Sequence, residues 1–162
     1  MRLPKRKVKV LGLTGAFVLA GAGVDADLNP LQFGGGFSLK GVCPEEGRAL
    51  VGVYEPERLE LRNHCQEVSG IVASVSRNPD GDHHVDLVPD EGYEWLLNGA
   101  NEGQLVTEIM PRDLGRLPVP KVGDHLTLVG AYVTDTPHGW NEIHPMWAER
   151  WDDGRFYTSG SS

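Results

Sequence analysis

From Arg58 onward the chain alternates apolar and polar residues with a period of two, the spacing of strands. Leu59 and Leu61 alternate with Glu60 and Arg62 in a strand entering Cys65. GIVASVSR, residues 70–77, is a strand rich in β-branched residues. NPDGD, residues 78–82, is a strong turn, and HHVDLVP, residues 83–89, returns from it, so the pair predicts a hairpin. YEWLL, residues 93–97, predicts a short helix or loop plugging one end of the core. LVTEIM, residues 105–110, is a further strand. Residues 111–123 hold three prolines and predict an irregular crossing. HLTLVGAYVT, residues 125–134, is a long strand with apolar residues on both faces. Gly130 in its middle permits a bend or bulge. DTPHG, residues 135–139, turns the chain into a last strand, WNEIHPMW, residues 140–147.

Hairpin, third strand, long crossing, hairpin: this order predicts an all-β fold, a small five-stranded Greek-key barrel of the OB type. A two-sheet sandwich is the alternative, but it normally needs about seven strands. The barrel domain is expected over residues 43–151. Glu149–Asp153 reads as a solvated acidic edge, and residues 152–162 as a disordered tail.

The first residues have a different pattern. Arg2, Lys5, Arg6, Lys7 and Lys9 precede an uncharged run over residues 10–24, and Ala20-Gly21-Ala22 offers a small-residue cleavage site. That is the pattern of a secretory signal peptide over residues 1–22. An N-terminal anchor and a buried glycine-rich strand are the other readings. The uncharged run is short for a membrane span, which needs about 20 residues. Residues 23–42, with Gly34-Gly35-Gly36, read as a flexible linker.

Charge then narrows the partners. Past residue 22 the chain carries ten basic and 23 acidic residues, a net charge of −13. Phosphate backbones are gripped by excess Lys and Arg, so a nucleic-acid partner is disfavoured; cations and basic partners suit this surface better. Cys43 and Cys65 are the only cysteines. In an exported chain they predict one disulfide, stabilising by roughly 3 kcal/mol through the loop it closes.

Two polar clusters remain. In an OB-type barrel the loops between strands one and two and between strands four and five flank the usual ligand face. Here those loops are NPDGD and DTPHG. Alternation puts His84 and Asp86 on one side of their strand, and Glu142 and His144 on one side of the last strand. If those faces meet, His84, Glu142 and His144 form a possible divalent-metal set, two imidazoles and a carboxylate. Glu142 or a histidine can also act as a general base. The wider ligand face is Asp80, Asp82, His84, Asp135, His138, Trp140, Glu142 and His144. The bland alternative is turn chemistry and a self-satisfied strand, with Trp140 and Trp147 as core. His64 and His125 show no companions. No catalytic residues are assigned.

Asp80-Gly81-Asp82, His84, Gly130-Ala131-Tyr132-Val133, Asp135, His138-Gly139-Trp140, Glu142 and His144-Pro145 recur in order in a group of uncharacterised bacterial proteins, often with export signals. Over about residues 43–147 this chain resembles that group. The resemblance implies an OB-like fold and the limits of the domain, and no mechanism. Asp80-Gly81-Asp82 is also similar to a turn in thermonuclease-type nucleases, which are OB barrels, but the likeness ends at that tripeptide. The expected function is an exported binding or structural barrel acting on a ligand or protein at the cell surface, without a transmembrane segment once the signal is removed. A metal-dependent, nuclease-like hydrolase and an oligonucleotide- or oligosaccharide-binding barrel are the alternatives.

Overall fold

The computed structural model describes residues 38–160. The expected signal peptide, and the linker as far as residue 37, lie outside the described residues. Within them the fold is all-β: β1 (Leu59–Arg77), β2 (His83–Pro89), β3 (Leu105–Ile109), β4 (His125–Asp135), β5 (Trp140–Trp151) and β6 (Phe156–Thr158), with short 3-10 segments before β1, between β2 and β3 and between β3 and β4. The strands follow the order β3-β2-β1-β4-β5-β6, and β3 pairs in addition with β5 in parallel. The hydrogen-bonded pairings therefore form a circuit through β1, β2, β3, β5 and β4, with β6 added to β5.

Six strands stand where five were expected. The run entering Cys65 and the run 70–77 are one strand of 19 residues. Register shifts at Leu61/Asn63, Asn63/Gln66 and Val72/Ser74 interrupt it. Each bulge increases local twist, so one strand serves β4 along its first part and β2 along its second. Gly130 marks a register shift in β4, as its position suggested. A Cβ there would lie 2.3 Å from the Pro145 carbonyl oxygen, so the crossing of β4 and β5 requires glycine.

The main core sits on one face of the strands and includes Val72, Val85, Leu105, Ile109, Leu128 and Ile143. The YEWLL segment does plug it: Leu96 is fully buried, and its carbonyl accepts from the Tyr132 hydroxyl at 2.9 Å. A second apolar cluster, with Ala49, Val53, Met110, Val133 and Trp147, occupies the opposite face. Residues N-terminal to β1 cover it, and Cys43–Cys65 is the predicted disulfide, with its Cα atoms 5.6 Å apart.

Three expectations fail at the ends. Residues 38–42 are no linker: Leu39 is fully buried beside Val129 and Ala148, and its N–H donates to Glu67 at 2.6 Å. Of the expected disordered tail, the described residues 152–160 contain β6, paired with β5. The solvated edge over Glu149–Asp153 fails at Glu149, which is fully buried, and holds at Asp152 and Asp153, which are exposed. Among the described residues no helix is long and apolar enough to cross a membrane.

Candidate functional site

The β1–β2 turn aims one aspartate inward. The Asn78 N–H donates to the Asp82 carbonyl at 2.8 Å, the Gly81 N–H donates to Asn78 at 3.0 Å, and Gly81 takes a left-handed φ of 101°. Asp82 is left buried and Asp80 exposed. Register does the rest. His84 lies opposite Glu108 across β2–β3, and the parallel β3–β5 pairing sets Val106 beside Glu142 and Thr107 beside Ile143. Val85, Ile109 and Ile143 belong to the main core. By alternation their neighbours His84, Glu108, Glu142 and His144 all point away from it, onto one shared face.

There they form a buried network. Glu108 pairs through Oε1 with His84 Nε2 and through Oε2 with His144 Nδ1, the latter at 2.8 Å. His144 Nδ1 also meets Glu142 Oε1 at 3.3 Å. Trp140 donates its indole N–H to Glu142 Oε2 at 3.1 Å. The remaining imidazole nitrogen, His144 Nε2, has no hydrogen-bond partner and lies 4.0 Å from Asp82 Oδ2. Asp82, Glu108 and His144 offer ligand-type atoms within 4.8 Å of one another, and all three residues are buried.

Burial and pairing set the proton affinities against each other. Burial works against a charge on His144, but the hydrogen bonds to Glu108 and Glu142 outweigh it and push its value up to about 10. Burial likewise opposes ionisation of Glu108, but His144 and His84 hold it well below the usual carboxylate range. Asp82 goes the other way, to about 6, through burial and the nearby Glu108 charge. Burial opposes a charge on His84 as well; its contact with Glu108 prevails and raises its value.

His84 is the outlet of this network. Its side chain is 17% exposed, against 1% for Glu108, and it lines an open cleft of about 850 Å³. Tyr54, Arg58, Asn78, Asp80, His138 and Trp140 share that lining. His138 and Trp140 stack with ring centroids 4.6 Å apart. Asp135, at the base of the second turn, is buried under His138 Nδ1 at 2.7 Å and Arg58 at 3.3 Å.

Of the predicted site residues, Asp82, His84, Glu142 and His144 therefore meet in the buried network. Asp80, His138 and Trp140 meet at the cleft, and Trp140 joins the two. Asp135 faces neither as a free group; it holds His138 and Arg58. Of the expected set His84, Glu142 and His144, the contacts run through Glu108 and His144, and the ligand-type atoms within 4.8 Å of one another belong to Asp82, Glu108 and His144. Glu108 was missed because LVTEIM reads as an ordinary strand. The sequence shows only a lone glutamate in a short strand; that all five residues of that strand are buried is visible only in the structure. His125 is not companionless, since it bridges Asp90 at 2.9 Å and Asp152 at 2.7 Å.

A second cavity of about 670 Å³ lies beside the disulfide, where Arg48, Arg112 and Arg116 contribute to the lining. Arg112 donates to the Val51 carbonyl at 2.8 Å and Arg116 to the Ser159 carbonyl at 2.7 Å. No family model matches the chain, and neither the curated proteins nor the solved structures include a significant match.

Proposed function

We propose that this is an exported, OB-like β-barrel protein with a binding role at the cell surface, and that its ligand is an oligosaccharide held in the cleft over His84. The observation that carries the reading is the convergence of the two polar turns. NPDGD supplies Asn78 and Asp80, DTPHG supplies His138, and both line one cleft. The circuit of pairings through β1, β2, β3, β5 and β4 supports the barrel, and in such barrels these two loops and the adjoining strand face are the usual ligand site. That step is analogy from fold.

The chemistry favours sugars. The stacked His138–Trp140 pair and the exposed Tyr54 offer flat aromatic surfaces, and Asn78, Asp80 and Arg58 offer hydrogen bonds around them. Bases would also stack, but a chain with a net charge of −13 past residue 22 repels a phosphate backbone. The disulfide supports an oxidising compartment, and so export with removal of residues 1–22.

Titrating neutral β-linked oligosaccharides, such as the N-acetylglucosamine tetramer, while following tryptophan fluorescence tests the reading. Binding should weaken about tenfold or more in Tyr54→Ala and Trp140→Phe. A twelve-nucleotide single strand should not bind at physiological salt. Binding of that strand in preference to the sugars, or sugar binding that neither substitution changes, contradicts the proposal. One observation favours a second reading, hydrolysis of the bound ligand. His84 opens into the cleft with a buried carboxylate behind it, the arrangement of a general base. Chain cleavage of the same oligosaccharides, lost in His84→Gln, would support it; intact oligosaccharides after prolonged incubation would exclude it for those substrates.

A further inference from the structure

We infer that Asp82, Glu108 and His144 form a binding site for a divalent transition-metal ion of the zinc or manganese class. This inference does not depend on what occupies the cleft.

Two independent observations point to it. The first is convergence: three ligand-type side chains from three separate segments bring donor atoms within 4.8 Å of one another. Bonds of about 2.1 Å in a tetrahedral centre place donors roughly 3.4 Å apart. Side-chain rotations moving the donors by about 1 Å close that gap. The second is the unpartnered nitrogen. His144 is 1% exposed, its Nε2 has no hydrogen-bond partner, and that atom faces Asp82 Oδ2 at 4.0 Å. A buried polar atom without a partner costs about 1–3 kcal/mol unless something satisfies it. In the metal-free molecule a proton on Nε2, directed at Asp82, reduces that cost. A divalent ion displaces the proton and engages the carboxylate and the imidazole together.

The surroundings fit a metal ligand set. Metal-bound imidazoles usually give their second nitrogen to a carboxylate, which fixes ring orientation and raises ligand basicity. His144 Nδ1 meets Glu142 at 3.3 Å, and Glu142 is itself held by the Trp140 indole, so Glu142 keeps that nitrogen when Glu108, its 2.8 Å partner in the metal-free molecule, turns to the ion. Glu142, expected from sequence as a ligand, is thus the residue that positions one. His84 Nε2 contacts Glu108 Oε1 and the Asn78 amide, the latter at 2.6 Å, and His84 is the histidine of the network that lines the cleft. Charge agrees as well. Asp82, Glu108 and Glu142 are three buried carboxylates against two imidazoles, so the network needs further positive charge. Calcium is disfavoured, because it takes 6–8 oxygen ligands and this site supplies fewer.

The test uses the full chain, purified, stripped with a chelator and titrated with Zn²⁺, Mn²⁺ and Ca²⁺ separately by calorimetry. Thermal unfolding is followed in parallel. One equivalent of Zn²⁺ or Mn²⁺ should bind and raise Tm, while Ca²⁺ binds far more weakly. Asp82→Asn removes a ligand charge with little change of shape and should weaken binding by about 100-fold or more. Glu142→Gln, acting through His144, should weaken it about 10–100-fold. The visible absorption of the Co²⁺-loaded protein should change in Glu142→Gln even where binding persists. Absence of stoichiometric Zn²⁺ or Mn²⁺ binding in the wild type overturns the proposal. So does unaltered affinity in a folded Asp82→Asn protein; if that variant does not fold, unaltered affinity in Glu142→Gln decides against it equally.

Discussion

Glu149 and Glu108 are both buried carboxylates, and their neighbours treat them in opposite ways. Glu108 has two imidazoles and stays ionised. Neither oxygen of Glu149 has a partner at hydrogen-bonding geometry, and burial, opposed by the nearby Trp151 indole and Arg155, pushes its carboxyl up from 4.5 to about 7. The folded protein therefore favours the protonated form. Below about pH 4.5 Glu149 costs nothing; between there and pH 7 the unfolded chain ionises first, and stability falls. The loss is about 3 kcal/mol by neutral pH. Unfolding free energies from pH 4.5 to 8 should show wild type losing that much relative to Glu149→Gln. Parallel curves for the two proteins would show that Glu149 is not held protonated. The same residue shows the limit of sequence reading at this scale. Glu149 stands beside Arg150, Asp152 and Asp153, so local composition says solvent, while the strand pairing with β6 says interior. Glu108 fails in the reverse sense, a charge hidden among apolar letters.

At the scale of elements, alternation located both polar turns and placed strands within β1 to β5, though it divided β1 into two runs. It also set His84, Glu142 and His144 on faces that do meet. What it could not supply was register. Only the parallel β3–β5 pairing brings Glu108 beside His144, and that contact joins residues 36 positions apart with no local signal. The ends were misread because glycine content and charge dominate short windows, whereas burial there comes from distant partners. Leu39 makes the point measurable: Leu39→Ala should cost about 2–5 kcal/mol by denaturant unfolding, and a cost near zero would restore the linker reading. Gly130→Ala should cost about 1–3 kcal/mol or more, because the added methyl meets the backbone of β5. Replacing Cys43 and Cys65 together by alanine should cost roughly 3 kcal/mol. A double variant as stable as the wild type would show that the crosslink adds nothing to the fold.

For the whole molecule, charge and shape act together. A strongly acidic surface discourages phosphate-bearing ligands, and the open cleft between two turns leaves aromatic and polar groups facing solvent. Behind the cleft, His84 connects the surface to the buried network for which we propose a divalent ion. The proposed ligand and metal sites adjoin through His84, which lines the cleft and contacts Glu108, so Zn²⁺ should alter oligosaccharide affinity, and Asp82→Asn and Glu142→Gln should need more Zn²⁺ for the same effect. The most direct measurement is a ¹H–¹⁵N spectrum of the full chain titrated with the N-acetylglucosamine tetramer. The account predicts shifts concentrated at Tyr54, Arg58, residues 78–84 and residues 138–140. Shifts centred on Arg48, Arg112 and Arg116, or no shifts with any neutral oligosaccharide, would contradict it.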